Sequence, residues 1–502
     1  MMKDLPANLT NLSSAIRYHA ETSPKKVYLF YKGNEYEYAQ IDKLINQICH
    51  FYESLELKQG DIISVVLRNG IEYILFYLAS LRYGTVFNPY PYTLEAKDIT
   101  RYLSNINPKL VFCQERHYSY LKDLVKCSVY CVRDDFIAGL NFDVISWNDY
   151  EPSENSPACL YYSSGTTGNP KNILFSYKNM VATISSVVRG FKFDENDIHL
   201  IVLPLGHTAS INYSFLPSTL CGATIVLSES FWKIRAQFWS LIQKYNVTYV
   251  EVVPSIVLAL LNTPYSKNDY TNIDSLQFIG CGSSMLPLER QIQFEEKYGI
   301  KVANLYGLSE TGPTHIDYPI KEGWEPGSIG VPLDVNEVKI VDDENRELVV
   351  GETGEIVIKG ENVFIDYYGN RELYNQVVKN EYFWTGDLGY IDEKGKHYFV
   401  GRKKELIIKG GINISPDEID EIFYKMNEVS EALSIGVYDE YLGEKIVSYV
   451  VLKKEYKVTA DEILSHCRDF LSRDKIPDQI EFVENIPKGH SGKFLRKKLG
   501  SN

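Results

Sequence analysis

At 502 residues the chain is longer than one compact core organises, so at least two domains are expected. Hydrophobic residues at 44% and charged residues at 24% exclude a disordered or fibrous protein. A net charge of −14 argues against a nucleic-acid partner, since neutralising phosphates needs clustered Lys and Arg, and only the late stretch "GKFLRKKL" is locally basic.

The start, "MMKDLPANLTNLSS", has no apolar segment behind a basic end, and no apolar run approaches the ~20 residues that span a bilayer. Eight cysteines, without a CxxC framework or a His cluster at zinc spacing, suit a reducing compartment, and a cytoplasmic protein with no membrane span is expected. "KVYLFYKGNEYEY" predicts a hairpin turning at Gly33-Asn34. Next, Ile41, Leu44, Ile45, Ile48, Phe51 and Leu55 form one helical stripe. Short β-rich runs follow, from "DIISVVLRN" through "KLVFC", "IHLIVLPL", "ATIVLS" and "VTYVEVVP" to "LQFIGC" and "VANLYG". Helical patterns such as "IEYILFYLASLRYG" and "RQIQFEEKYG" lie between many of them. Apolar strands alternating with helices imply parallel sheets covered on both faces, with ligands at the carboxyl ends of the strands.

Past residue 320, "NEVKIVDDENRELVVGETGEIVIKG" reads as strands and turns, a small antiparallel or barrel-like element. The glycines and charges of "GRKKELIIKGGINISPDEI" then interrupt the pattern. The fold class is therefore α/β, with a large N-terminal domain over residues 1–401 and a small mobile α/β domain over 402–502. In the latter, Ser415 with Glu418 and Thr459 with Glu462 predict capped helix starts, the first with Pro416 at its opening position.

The chemistry gathers in five stretches: "YYSSGTTGNPK", "LYGLSETGP", "YFWTGDLGY", "GRKKELIIKGGINISPDEI" and "PKGHSGKFLRKKL". In the first, Gly165 and Gly168 allow a tight turn. The hydroxyls of Ser163, Ser164, Thr166 and Thr167 can bond phosphate oxygens, and Lys171 adds charge. Taken alone the loop fits a phosphate cradle or a plain surface turn, and it does not match the P-loop pattern.

In this order, the five stretches resemble the adenylate-forming superfamily of acyl-CoA synthetases, adenylation domains and luciferases, over nearly the whole chain. Two departures are Asn172, where the family usually has Gly, and Ser309, where Thr is commoner. The resemblance implies that a carboxylate attacks the α-phosphate of ATP, giving acyl-AMP and pyrophosphate, and that a thiol then takes the acyl group. It implies that the loop from Ser163 to Lys171 holds the β- and γ-phosphates, that Tyr306 lies against adenine, and that Ser309 bonds the α-phosphate. Glu310 would be a ligand of Mg2+. Gly282, Ser283 and Ser284 would form the adenine turn, Asp387 would bond the ribose hydroxyls, and Arg402 would lie near the sugar or phosphate.

Lys493, from the small domain, would bridge the carboxylate and the α-phosphate. Lys404 would be the hinge, and Gly410 and Gly411 would flank the tunnel for the thiol arm. His207 resembles the residue that gates the acyl pocket. No carboxylate lies between Leu203 and Phe215 to pair with a substrate ammonium, so an acid without an α-amino group is expected. Gly307 and Leu308, where acetate-specific relatives carry Trp, imply an acid larger than acetate, aliphatic or aryl. Coenzyme A is the expected acceptor. The alternatives are an acyl-AMP ligase that loads a carrier protein's phosphopantetheine, and a catalytically silent nucleotide-binding regulatory protein.

Overall fold

The computed structural model describes residues 9–140, 146–163, 171–318, 324–488, 494–496 and 499. Two seven-stranded sheets make up most of the N-terminal part. The first runs Val302–Asn304, Phe278–Cys281, Tyr249–Val252, Ile198–Ile201, Thr224–Leu227, Val27–Tyr31 and Asn34–Glu37 in spatial order. It is parallel except for its last pair, the hairpin expected at Gly33-Asn34, where Lys32 and Gly33 both take positive φ.

The second sheet runs Asp366–Tyr367, Lys171–Ser176, Pro157–Ser163, Val86–Pro89, Ile62–Val66, Leu110–Cys113 and Ser128–Cys131. Its first three strands pair antiparallel and the rest parallel. Ile62–Val66 is buried on both faces, which is why it reads as an apolar run interrupted only by Ser64, whose buried hydroxyl donates to Asn88 Oδ1 at 2.7 Å. The helix Ile71–Tyr83 is buried along nearly its whole length, and one core cluster joins it to Leu29 and Ile225 of the first sheet and Ile63 and Val65 of the second. Gly84, at φ 93°, ends it by donating its N–H to the Ser80 carbonyl, a left-handed stop that Gly adopts without strain.

The antiparallel element is a five-stranded sheet of Asn336–Val341, Gly354–Gly360, Tyr382–Ile391 and Val378–Lys379, with His397–Arg402 paired along Tyr382–Ile391. That last pairing extends to Asp387 opposite Arg402. The C-terminal part is a second five-stranded sheet built on the long hairpin of Val429–Asp439 and Gly443–Leu452. It has a buried cluster of its own with the helices Pro416–Tyr424 and Ala460–Phe470. It rests on the helix Leu288–Tyr298, where the Leu288 N–H donates to the Glu421 carboxyl at 3.2 Å and Arg290 donates to the Val429 carbonyl.

The two expected helix caps differ. At Thr459 the reciprocal box forms, with Glu462 N–H donating to the hydroxyl at 3.3 Å and Thr459 N–H donating to the Glu462 carboxylate at 2.8 Å. At Ser415 the helix does begin on Pro416, but the side chain does not cap it. The Ser415 hydroxyl instead donates to the Val400 carbonyl at 2.8 Å, back in the preceding sheet.

Candidate active site

A cavity of about 1050 Å³ opens where the strands of the first sheet end, as the rule for parallel sheets requires. Its walls come from every stretch singled out in the sequence. Ser163 ends one strand of the second sheet and Lys171 opens the next, and the two residues pair directly. Ser164, Gly165, Thr166, Thr167 and Gly168 belong to the connection between them and lie outside the described residues. The Lys171 ammonium lies 5.0 Å from the centre of the Tyr367 ring. In turn the Tyr367 hydroxyl donates to Glu310 Oε1 at 2.9 Å, so one tyrosine ties the lysine of the first motif to the carboxylate of the second.

Ser309 and Glu310 form part of the tip of a short hairpin, Gly307–Leu308 against Gly312–Pro313. Asn362 braces this tip by donating to the carbonyls of Thr311 and Pro313 at 3.0 and 3.1 Å. A Cβ on Gly307 would lie 2.2 Å from the Gly312 carbonyl oxygen, so its missing side chain is demanded by the hairpin itself, whatever the size of the ligand.

Tyr306, Asp387 and Arg402 form a connected network. The Tyr306 hydroxyl donates to Asp387 Oδ2 at 2.9 Å, and Arg402 Nε reaches Asp387 Oδ1 at 3.0 Å. Asp387 is 1% exposed; burial works against the charge of Arg402, but Asp387, together with Glu405, Tyr306 and Glu310, holds that guanidinium above its ordinary pKa. Behind Tyr306, His315 packs edge-on at 5.2 Å and shares a 3.0 Å hydrogen bond with His397, whose imidazole burial pushes down to about 4. Ser283 holds a left-handed φ of 70°, a costly conformation for a residue with a side chain, and Gly282 is tightly placed, since a Cβ there would meet Leu305 at 3.0 Å. Ser284 and Tyr306 line a neighbouring cavity of about 250 Å³ that shares Ser283, Leu305, Gly307 and Arg402 with the large one and is walled on one side by Asp417, Glu421 and Tyr424 of the C-terminal part.

On the opposite side, His207 is half-buried and precedes the short helix Thr208–Ser210, its N–H donating to the Pro204 carbonyl. The chain continues into a π-helical turn, Ile211–Phe215, a distortion found most often beside functional sites. Facing this segment is a residue that sequence reasoning missed. Glu251, in the strand Tyr249–Val252, is 3% exposed, lines the cavity, and has neither carboxyl oxygen hydrogen-bonded among the described residues. Burial alone pushes its carboxyl up to about 8. Tyr367 was missed as well, and "NVFIDYYGN" carries no local signal for its role.

Lys404 joins Arg402, Lys403 and Lys171 on the basic side of the cavity, and partial burial, then repulsion by Arg402, lower its ammonium pKa. Phe494 and Leu495 also line the cavity, and Lys493 just before them lies outside the described residues. Gly410 and Gly411, at φ 57° and 83°, make a two-residue hairpin turn in the C-terminal part and are not among the residues that line the cavity. No group of three or more His, Cys, Asp or Glu among the described residues is arranged to hold a metal ion. The carboxylate of Glu310 is a fitting donor for a hard cation whose remaining ligands come from phosphates.

Two largely parallel sheets meeting a small C-terminal domain over a cavity with acidic, basic and hydroxyl groups are the arrangement of an adenylate-forming enzyme. The chain belongs to the AMP-binding enzyme family: that family's model matches residues 16–368, and the model of the AMP-binding enzyme C-terminal domain matches residues 418–493. It is 30% identical to the sulfoacetate–CoA ligase of Cupriavidus necator, over 98% of both chains. With 4-coumarate–CoA ligase 1 of Narcissus pseudonarcissus it shares 29% identity over 92% of this chain and 88% of the relative. The o-succinylbenzoate CoA synthetase of Bacillus subtilis, solved with its acyl-adenylate intermediate, superposes with a TM-score of 0.86 at 26% identity, covering 97% of this chain and 98% of that one. Among the described residues no helix is long and apolar enough to cross a membrane.

Proposed function

We propose that the protein is an acid–CoA ligase that converts a carboxylic acid and ATP to acyl-AMP and pyrophosphate, then passes the acyl group to the thiol of coenzyme A. The observation that carries this reading is the convergence, on one cavity of about 1050 Å³, of Ser163, Lys171, His207, Ser309, Glu310 and Arg402. Adenylation brings one anion to another, so fixed cations and dipoles must offset the charge that builds on the phosphate.

In the proposed mechanism the loop from Ser163 to Lys171 holds the β- and γ-phosphates, and the Ser309 hydroxyl bonds the α-phosphate. Tyr367 orients Glu310, which would hold Mg2+; when bound, the ion neutralises charge on the phosphates. Tyr306, with Gly282 to Ser284, receives adenine, and Asp387, steadied by Arg402, takes the ribose. Lys493 bridges the acid and the α-phosphate. Phe494 and Leu495 support that role, since these two neighbours in sequence already line the cavity.

The domain boundary is proposed to lie between residues 401 and 402, at the end of the strand pairing, with Lys404 as hinge. Gly410 and Gly411 then come to the site only after the small domain has rotated, which accords with their exposed turn. Free thiols at all eight cysteines suit a reducing compartment such as the cytoplasm. The test is ATP–pyrophosphate exchange across short, medium, long and aromatic acids, followed by transfer to coenzyme A or to phosphopantetheinylated carrier proteins. Exchange with at least one acid and formation of its CoA thioester is expected. Acylation of carriers with no acyl-CoA formed would transfer the second step to a carrier protein, and AMP binding without exchange would end the catalytic reading.

A further inference from the structure

Side chains along a strand alternate between faces, so in Tyr249–Val252 the two valines turn to one side and Tyr249 and Glu251 to the other. Val250 and Val252 enter a buried apolar cluster, whereas Glu251 turns toward the π-helical segment and the cavity. Its register partner on the next strand is Gly280, which offers no side chain to bond. The titratable groups that feel its charge are Tyr213, Tyr249 and Cys281, none of them a cation. The Tyr213 hydroxyl is committed to the Tyr306 carbonyl at 3.2 Å. A carboxyl group buried without a partner is a standing cost to the fold, and it persists where something else supplies the partner.

We propose that Glu251 reads the far end of the acid: it selects a carboxylic acid whose acyl part carries a hydrogen-bond donor, a hydroxyl or an amino group, away from the reacting carboxylate. This rests on the adenylation reading above and names its substrate class more closely. Glu251 is deeply buried, whereas Ser309 on the phosphate side is half-exposed, so the part of an acid that reaches Glu251 is the end remote from the phosphate. A donor is singled out because a carboxyl group keeps an accepting oxygen whether or not it is protonated. An alkyl end leaves Glu251 unpaired in both states, and a second carboxylate on the acid is repelled whenever Glu251 is ionised. Sites that hydrogen-bond a substrate group discriminate strongly against analogues that lack it.

The test uses the full-length enzyme, ATP–pyrophosphate exchange, and sets of acids on one skeleton with methyl, hydroxyl, amino or carboxylate at the remote end, in a six-carbon aliphatic and a para-substituted benzoate series. In the wild type, kcat/KM for the better of the hydroxyl and amino acids should exceed that for the methyl acid by about tenfold or more. Glu251→Leu should reverse that ratio. Glu251→Gln, which preserves shape and one accepting oxygen, should keep the hydroxyl preference and lose any amino preference, and this arm also serves if Glu251→Leu fails to fold. A wild type that favours the methyl or carboxylate acid, or a ratio unchanged in both variants, would overturn the proposal. Exchange with none of these acids, nor with any in the broader panel, would instead remove the adenylation reading and this inference with it.

Discussion

The two ends of the active-site cavity are built on opposite plans. At the end proposed to take the nucleotide the polar groups are already engaged with one another: Tyr306 and Arg402 both hold Asp387, and Tyr367 joins Glu310 to Lys171. At the end proposed to take the acid, Glu251 is buried with no hydrogen-bond partner among the described residues. The first arrangement serves a ligand that never changes, since a network fixed beforehand costs no reorganisation when the nucleotide arrives. The second leaves its final hydrogen bond to the substrate, so it responds to which substrate is present.

The widest separation of roles should come from Lys493→Ala. Adenylation is expected to fall roughly 10²–10³-fold, the loss typical of removing one fixed electrostatic group. Thioester formation from supplied acyl-AMP should fall far less, and single-turnover measurement of each step decides whether the small domain delivers different groups to different steps. Next in size is Asp387→Ala, which strands both Arg402 and the Tyr306 hydroxyl. Stability should drop by roughly 2 kcal/mol or more, and KM for ATP should rise while the ranking of acids stays as it was. A change in that ranking would break the contrast between the two ends.

Tyr367→Phe removes one hydrogen bond to a charged group, so an about tenfold loss in exchange rate is expected, most marked at low magnesium. The smallest effect concerns Glu251. Burial raises its carboxyl from an ordinary 4.5 to about 8, so between those values the folded chain holds a proton that the unfolded chain has released. Stability from this group is therefore full below the lower value and lost as pH rises through the upper one. Glu251→Gln should flatten that decline, raising Tm at pH 8 by about 2 °C or more relative to its effect at pH 5, as thermal denaturation at the two pH values will show.

How legible these features were in the sequence depended on whether their cause is local. The hairpin at Gly33-Asn34, the strands of the parallel sheets and the Thr459–Glu462 cap all follow from neighbours within a few residues. The motif residues could be placed because the order of five stretches is itself a signal. Glu251 escaped because a single acid in "YVEVV" reads as part of a buried strand, and only the fold reveals that its face meets the segment after His207. Tyr367 escaped for a similar reason: its hydroxyl acts on a residue 57 positions away. Gly307 was read as making room for the acid, yet its neighbour across the hairpin forbids any side chain there.

Ser415 gives the proposed rotation a mechanical character. Its hydroxyl is bonded to Val400, on the far side of the hinge, while the helix that it precedes goes without a side-chain cap. If the small domain turns as proposed, the hydroxyl would lose the first partner and could return to the open end of its own helix, an exchange of one hydrogen bond for another of about 1 kcal/mol. On the proposed rotation the residue would act as a detent, giving the domain a resting position without adding much to the energy difference between the two positions, so its removal should alter how long each is occupied more than which is preferred.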